Sequence, residues 1–185
     1  HPLIGESESM QRVRELIPKF TSTKEPVFIV GEKGSGRHLL AKHIHQNSER
    51  SSMPFIYLNL SALNEKQQWY ELFGDGINEP GKLKISEKGT LYLEDIFAIT
   101  DSVLDEMTTK LSLLKGSFSL LFSSSLSPSN YDNKILPWLP VNQVRIPALR
   151  ERKGDIMEIA YYYLEFYSKE YQIEGLSFAK GIENQ

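Results

Sequence analysis

The residues with the clearest chemical potential lie in a glycine-rich loop, Gly31–His38, which reads G-E-K-G-S-G-R-H. The loop follows the phosphate-binding pattern G-x-x-x-x-G-K-[ST] at its glycines, but Arg37 stands where the pattern has lysine. Glycines at this spacing let backbone N–H groups surround a phosphate at the N-terminus of a helix. An apolar run, Val27–Val30, precedes the loop and a helix-like segment, Leu39–Gln46, follows it. The loop therefore predicts a phosphate site, and Arg37 puts hydrolysis of a bound nucleotide in question.

Two adjacent carboxylates, Glu94 and Asp95, end a second apolar run that begins at Thr90. The segment resembles a Walker B motif, in which an aspartate holds Mg²⁺ through water and the glutamate after it polarises the attacking water. Here the order is reversed, so each carboxylate is displaced by one methylene from its expected place. Positional errors near 1 Å can cost about 10²-fold in rate. We expect weakened chemistry at a possible Mg²⁺ site; two solvated acids at a strand end are the alternative.

Apolar runs alternate with helical patterns along the chain, which predicts an α/β fold with a mainly parallel sheet covered on both faces. The predicted strands are Val27–Val30, Phe55–Asn59, Thr90–Leu93, Phe118–Phe122 and Gln143–Ile146. The predicted helices are Ser9–Lys19, Leu39–Gln46, Asn64–Phe73, Asp101–Leu114 and Asp155–Tyr171, and Pro128–Pro147 should be largely loop. Ligands in such sheets bind at the carboxyl ends of the strands. The glycine-rich loop, the two carboxylates and Ser123–Ser125 should therefore share one edge.

Length and composition restrict the function. The chain has 185 residues, no cysteine and a formal net charge of −3, so it offers no disulfide or thiolate site and little general attraction for nucleic acid. No apolar run approaches the roughly 18 residues of a membrane span, which favours the cytoplasm. The chain starts without methionine and stops within a helical pattern, so we expect a fragment of a longer protein.

Three further patterns have a structural and a functional interpretation. His38, His43 and His45 lack a carboxylate that would complete a metal site on one helix face. The aromatic run at 161–167 could stack bases, but on a helix it should instead cover the core or a neighbouring subunit. Arg152 and Asp155 have the R-x-x-D spacing of some cyclic dinucleotide sites, although Asp155 as a helix N-cap is the simpler use.

Together these residues resemble the central AAA+ domain of the bacterial sigma-54-dependent, NtrC-like transcription regulators. The matching segments are Leu3–Ser7 with Met10, the loop Gly31–His38, Ala41–Arg50, Pro54–Asn59, Glu71–Gly74, Gly89–Leu93 and Ile146–Ile156. The resemblance implies a P-loop NTPase fold at 1–153 with a five-stranded sheet between helices, followed at 154–185 by the first helix of a truncated lid. It also implies a site for ATP or ADP, with Mg²⁺ possible at Glu94 and Asp95. The residues implied in nucleotide binding are Ile4, Gly5, Gly31, Glu32, Lys33, Gly34, Ser35, Gly36, Arg37, His38 and Leu39.

The chain also departs from the family pattern. Only Asp75–Pro80 separates Glu71–Gly74 from the next matching segment, so the G-A-F-T-G-A loop that contacts sigma-54 is missing. Ser124 and Ser125 replace the sensor Thr-Asn pair, so Ser125, Glu94 and Asp95 are at most vestigial catalytic residues. Asp132 and Trp138 fall at the positions of two arginines that reach a neighbouring subunit's ATP. These departures predict that hydrolysis is lost.

We therefore expect a degenerate regulatory or self-associating domain that binds a nucleotide weakly or not at all. RNA polymerase or a sigma factor would be partners of the longer protein, and DNA would bind only through a helix-turn-helix domain outside this segment. One alternative is a cyclic di-GMP sensor that uses Arg37, Arg150 and Arg152 to hold phosphates. The other is a working ATPase in which Arg37 replaces the lysine.

Overall fold

A five-stranded parallel sheet forms the centre of the computed structural model, which describes residues 2–23, 25–114, 117–125, 140–179 and 181. The strands are β1 (Val27–Val30), β2 (Phe55–Asn59), β3 (Thr90–Glu94), β4 (Ser119–Ser124) and β5 (Asn142–Arg145), in the spatial order β2-β3-β4-β1-β5. The helices are α1 (Glu8–Ser22), α2 (Arg37–Gln46), α3 (Glu65–Phe73), α4 (Lys82–Ile85), α5 (Asp101–Leu113) and α6 (Asp155–Glu170). Short 3₁₀ turns lie at Leu60–Ala62, Ile96–Ala98 and Leu149–Glu151.

Helices cover both faces of the sheet, and neighbouring side chains of a strand point to opposite faces. Strands such as β1 and β3 therefore contribute side chains to two apolar cores. In β1, Phe28 packs into one apolar cluster with the α3 and α5 side chains, whereas Val27 and Ile29 pack into the other with α1 and α2. In β3, Leu91 and Leu93 join the first cluster and Tyr92 joins the second. The two cores fix the strands, and thereby the loops at their carboxyl ends.

The strand order places the site. In this order β4 lies between β1, which leads into the glycine-rich loop, and β3, which ends at the carboxylates. The Gly31 N–H donates a hydrogen bond to the Ser124 carbonyl oxygen at 3.1 Å, which holds the start of the glycine-rich loop against the end of β4. This edge carries the loop, the carboxylates and the serines, as predicted from the sequence.

Several element boundaries differ from the predicted ones. β3 continues to Glu94, and β4 runs to Ser124 rather than Phe122, because these residues still pair with neighbouring strands: Asn59 with Glu94 and Val30 with Ser124. The predicted use of Asp155 as the N-cap of α6 is wrong, because Gly154 is the cap and Asp155 is the first helical residue. Most of the predicted loop at 128–147 lies outside the described residues.

The aromatic residues of α6 do not cover the core. Asp155 is the only buried residue of this helix, and Tyr161 and Tyr167 are each 46% exposed. Their rings contact one another instead, with 6.0 Å between the centroids of Tyr163 and Tyr167. None of the helices in the described part of the chain is long and apolar enough to cross a membrane.

Candidate functional site

The backbone of the glycine-rich loop requires its glycines. Gly34 and Gly36 have φ angles of +85° and +108°, which side chains of L-residues rarely adopt, and no atom lies within 4 Å of where their Cβ would be. Gly36 is the N-cap of α2 and provides no capping side chain, so the first N–H groups of the helix remain available. Ser35 is buried, and its Oγ has no hydrogen-bond partner among the described residues. These features fit a bound phosphate.

The Arg37 side chain forms ion pairs with the two carboxylates. Its side chain is only 5% exposed; Nη1 lies 2.7 Å from Asp95 Oδ1, and Nη2 lies 3.2 Å from Glu94 Oε1. The guanidinium therefore joins both acids at the carboxyl end of β3. A planar fork with several donors can bridge two acceptors in this way, whereas a lysine ammonium cannot present the same geometry.

Hydroxyl groups occupy the remaining carboxylate oxygens. The Tyr57 hydroxyl donates to Glu94 Oε2 at 2.6 Å. Ser61 Oγ lies 2.9 Å from Asp95 Oδ2 and 2.8 Å from Asn59 Oδ1, so its one proton is shared between these two acceptors. Burial and this hydrogen bond to Glu94 raise the pKa of Tyr57 to about 12, so its proton stays in place. With the guanidinium in place, each of the four carboxylate oxygens has a donor within hydrogen-bond or ion-pair distance. A Mg²⁺ ion, which binds through one or two carboxylates and water, would have to displace the guanidinium.

His38, which follows Arg37, packs on the aromatic residues of the sheet. Its ring lies 4.7 Å from the Tyr57 ring and 5.6 Å from the Tyr92 ring, measured between centroids, in edge-on contacts. The Tyr92 hydroxyl is 2.8 Å from Ser123 Oγ within the core. Burial lowers the pKa of His38, and the positive charge of Lys42 lowers it further. His38 is therefore neutral at pH 7 and does not offer a charge to a phosphate.

The three histidines of α2 predict a dependence of stability on pH. Burial lowers the pKa of His38, His43 and His45, so in mildly acidic solution the unfolded chain binds more protons than the folded one. The free energy of unfolding should fall as pH drops below the ordinary histidine pKa of about 6.5. Urea unfolding at about pH 7.5 and about pH 5.5 measures this. His38→Gln should reduce the difference, and equal stability at both pH values would contradict the prediction.

A buried network ties the loop to the N-terminal segment and to α6. Arg152 is 7% exposed, donates from Nη2 to the Ser35 carbonyl oxygen at 3.0 Å, and lies 3.9 Å from Asp155 Oδ2. Asp155 accepts hydrogen bonds from the N–H and the hydroxyl of Ser7, at 2.8 and 2.6 Å. A Cβ on Gly5 would come within 2.5 Å of the same carboxylate. Asp155 is thus an anchor for the N-terminal segment rather than a helix cap.

The remaining predicted site residues are divided between two clefts. One, of about 490 Å³, is lined by Gly31, Glu32, Ser125 and the end of β5. The other, of about 420 Å³, lies between Ile4, Gly5 and the face of α6 that carries Tyr161 and Tyr162. The exposed loop residue Lys33 and the half-buried Leu39 line neither cleft.

The three arginines proposed for a cyclic dinucleotide each have a protein partner in the structure. Arg37 contacts the two carboxylates and Arg152 contacts Ser35. Arg150 forms a bidentate pair with Glu32, and this hydrogen bond lowers the pKa of Glu32. Asp132 and Trp138, the predicted replacements of the two catalytic arginines, lie outside the described residues.

The sequence did not identify Tyr57 or Ser61 as parts of the site, and it offered Arg152 only as a ligand of a cyclic dinucleotide. Tyr57 lies near the carboxyl end of β2, next to β3 in the sheet, so the strand order would have placed it beside Glu94. Ser61 follows that strand in a 3₁₀ turn. Nothing in the local sequence marks Arg152 as an anchor, because its partner Ser35 is 117 residues away.

Comparison with known proteins identifies the family of this chain. The family model of the sigma-54 interaction domain matches residues 3–114. Over 88% of its length the chain is 32% identical to the anaerobic nitric oxide reductase transcription regulator NorR of Aeromonas salmonicida, of which it spans 37%. The structure of NtrX from Brucella abortus in complex with ADP superposes with a TM-score of 0.89 at 22% identity, over 97% of this chain and 44% of that one.

The fold has a further match in the P-loop NTPase domain of an Escherichia coli sigma-54 activator, with a TM-score of 0.59 at 21% identity over 79% of this chain and 99% of that one. The five-stranded parallel sheet with its helices is thus an AAA+ P-loop NTPase fold. The family match covers more than half of the 185 residues. The chain therefore belongs to the sigma-54 interaction domain family of bacterial transcription regulators.

Proposed function

We propose that this domain keeps the phosphate-binding loop of its family but does not hydrolyse ATP, and that it acts by regulation or self-association. The position of Arg37 is the main observation in favour. Its guanidinium forms ion pairs with Asp95 at 2.7 Å and Glu94 at 3.2 Å. The positive charge of Arg37 is therefore paired with the two carboxylates that would otherwise organise a Mg²⁺ ion and the attacking water. A domain arranged in this way binds a phosphate with backbone groups alone.

The segment after α3 supports a role other than remodelling a sigma-54 polymerase. Gly74 and Pro80 form an antiparallel bridge, and Asp75 Oδ1 accepts the N–H groups of Ile77, Asn78 and Glu79 at 2.8–2.9 Å. These hydrogen bonds lower the pKa of Asp75. The segment is a closed turn and offers little chain for the extended contact loop that the family resemblance implies. We propose that this domain lacks that loop.

The wider assembly is part of the same proposal. Residues 1–153 form the nucleotide-binding core, and α6 is the first helix of a lid. Membership of the family supports the proposal of self-association through the core, and of contact with RNA polymerase or a sigma factor by the longer protein. DNA would be bound by a helix-turn-helix domain elsewhere in the longer protein. The chain spans less than half the length of NorR, so these partners belong to the whole protein.

Calorimetric titration of the chain with ATP, ADP and cyclic di-GMP tests the binding half of the proposal. We expect ADP and ATP to bind weakly, with Kd on the order of 10⁻⁴ M, because the loop backbone binds phosphate without help from the Arg37 charge. Gly36→Asp is the matched control, because it places a negative charge at the N-cap of α2, although the φ angle of +108° strains any L-residue there. It should abolish binding, and urea unfolding of the variant checks that the domain still folds.

Each other result of the titration points to a different function. If cyclic di-GMP binds and the mononucleotides do not, the domain is a sensor of that ligand and the proposal is wrong. Tight Mg²⁺-dependent binding of ATP with release of phosphate would indicate a working ATPase that uses Arg37. If none of the three ligands binds, the proposal of a phosphate site is wrong and the domain has a purely structural role.

A further inference from the structure

We infer that Arg37 is the resident cation of this site: its guanidinium takes the place of a divalent metal ion between Glu94 and Asp95, and the loop binds a nucleotide's phosphates without Mg²⁺. The inference rests on the phosphate-binding function proposed above. It adds that the ligand is the metal-free form of the nucleotide.

The geometry carries the first step. Glu94 and Asp95 lie almost sixty positions after Arg37 in the sequence, yet the Arg37 guanidinium contacts one oxygen of each acid. The Arg37 side chain is only 5% exposed. The side chains of the two acids are only 15% and 26% exposed. A cation with two carboxylate ligands in such a pocket is what a bound Mg²⁺ would provide, and two positive centres cannot share it without strong repulsion.

The hydroxyl groups carry the second step. Tyr57 and Ser61 lie at the outer oxygens of the acids, whereas Arg37 occupies one oxygen of each acid, Glu94 Oε1 and Asp95 Oδ1. No cluster of three or more histidine, aspartate or glutamate residues that could hold a metal ion occurs in the described part of the chain. A metal ion would therefore have only the two acids as protein ligands, and it would have to displace the guanidinium to reach them.

A titration of the nucleotide-free chain with Mn²⁺ alone tests the inference. Binding is measured as the loss of the electron paramagnetic resonance signal of free Mn²⁺. The wild-type chain should bind Mn²⁺ at least about tenfold more weakly than Arg37→Ala, because only the variant leaves the two carboxylates without a cation. Arg12→Ala removes the same charge from an exposed pair with Glu8 and should behave as the wild type. Arg37→Gln serves as a second neutral variant if Arg37→Ala fails to fold.

Comparable Mn²⁺ binding by the wild type and Arg37→Ala would overturn the inference, because the metal and the guanidinium would then not compete. Absence of binding in both neutral variants would overturn it too, because the acids would not form a cation site.

A second titration, of ADP in EDTA and in Mg²⁺, separates this inference from the proposed function. The wild-type Kd should agree within about twofold between the two conditions, and Arg37→Ala should show a Mg²⁺ preference of about tenfold. A wild-type Mg²⁺ preference of that size would contradict metal-free binding. If ADP binds in neither condition, the proposed phosphate site and metal-free binding both fail, and the Mn²⁺ result decides whether Arg37 is the resident cation.

Discussion

ATP hydrolysis by this domain is expected to stay at the background rate, even after Arg37→Lys restores the lysine of the motif. Lysine would return a mobile charge to the loop, but Glu94 and Asp95 would remain in reversed order, each about one methylene from the usual place. An error of that size costs roughly 10²-fold in rate. The sequence also has no arginine between Arg50 and Arg145, and an arginine that reaches a neighbouring ATP contributes roughly 10³–10⁵-fold.

Phosphate release over several hours, with and without Mg²⁺, measures this expectation. Gly36→Asp supplies the blank for contaminating ATPases, because it blocks the loop while the rest of the surface stays the same. Turnover on the order of 1 s⁻¹ by the wild type, in the range of ordinary phosphoryl-transfer enzymes, would rule out the non-hydrolysing function.

The second large effect is expected from neutralising the two acids together. Glu94→Gln with Asp95→Asn leaves Arg37 buried without a counter-charge, and we expect the free energy of unfolding to fall by about 2–4 kcal/mol. We set this below the value for a fully buried pair because the acids are partly exposed. Adding Arg37→Met should recover most of the loss, since an apolar side chain of similar length needs no partner.

Urea unfolding of these variants gives the free energies directly. Glu8→Gln breaks the exposed pair with Arg12 and should change stability by no more than about 0.5 kcal/mol. If the triple variant is as unstable as the double variant, the loss comes from changed packing and not from the charge of Arg37.

Much of the fold could be predicted because each element carries a local signal. The alternation Val27, Phe28, Ile29 sends side chains to two cores, and such a strand before a glycine-rich loop is readily recognised. The common edge of the loop and the carboxylates followed from the parallel sheet alone. The boundaries at Glu94 and Ser124 could not be predicted, because they depend on pairing with neighbouring strands and not on local hydrophobicity.

The direction of Arg37 could not be predicted either. The residue could point into the loop or across β4, and that choice depends on the positions of two acids almost sixty residues later. Asp95 reaches it from a left-handed backbone conformation, with a φ angle of +54°, that no sequence signal announces. The role of Asp155 could not be predicted for the same reason, because the Ser7 that it anchors lies 148 residues away. Its position at the start of a helix suggested a cap instead.

A double-mutant cycle between Arg37 and Asp95 measures most directly whether the arginine is held by the acids, on which both proposals depend. The cycle needs the free energies of unfolding of the wild type, Arg37→Met, Asp95→Asn and the double variant, all measured in urea. The 2.7 Å contact predicts a coupling of about 1–3 kcal/mol in favour of the native pair. A coupling below about 0.3 kcal/mol, the usual value for independent sites, would show that Arg37 is free to serve the loop and would contradict the function proposed for this domain.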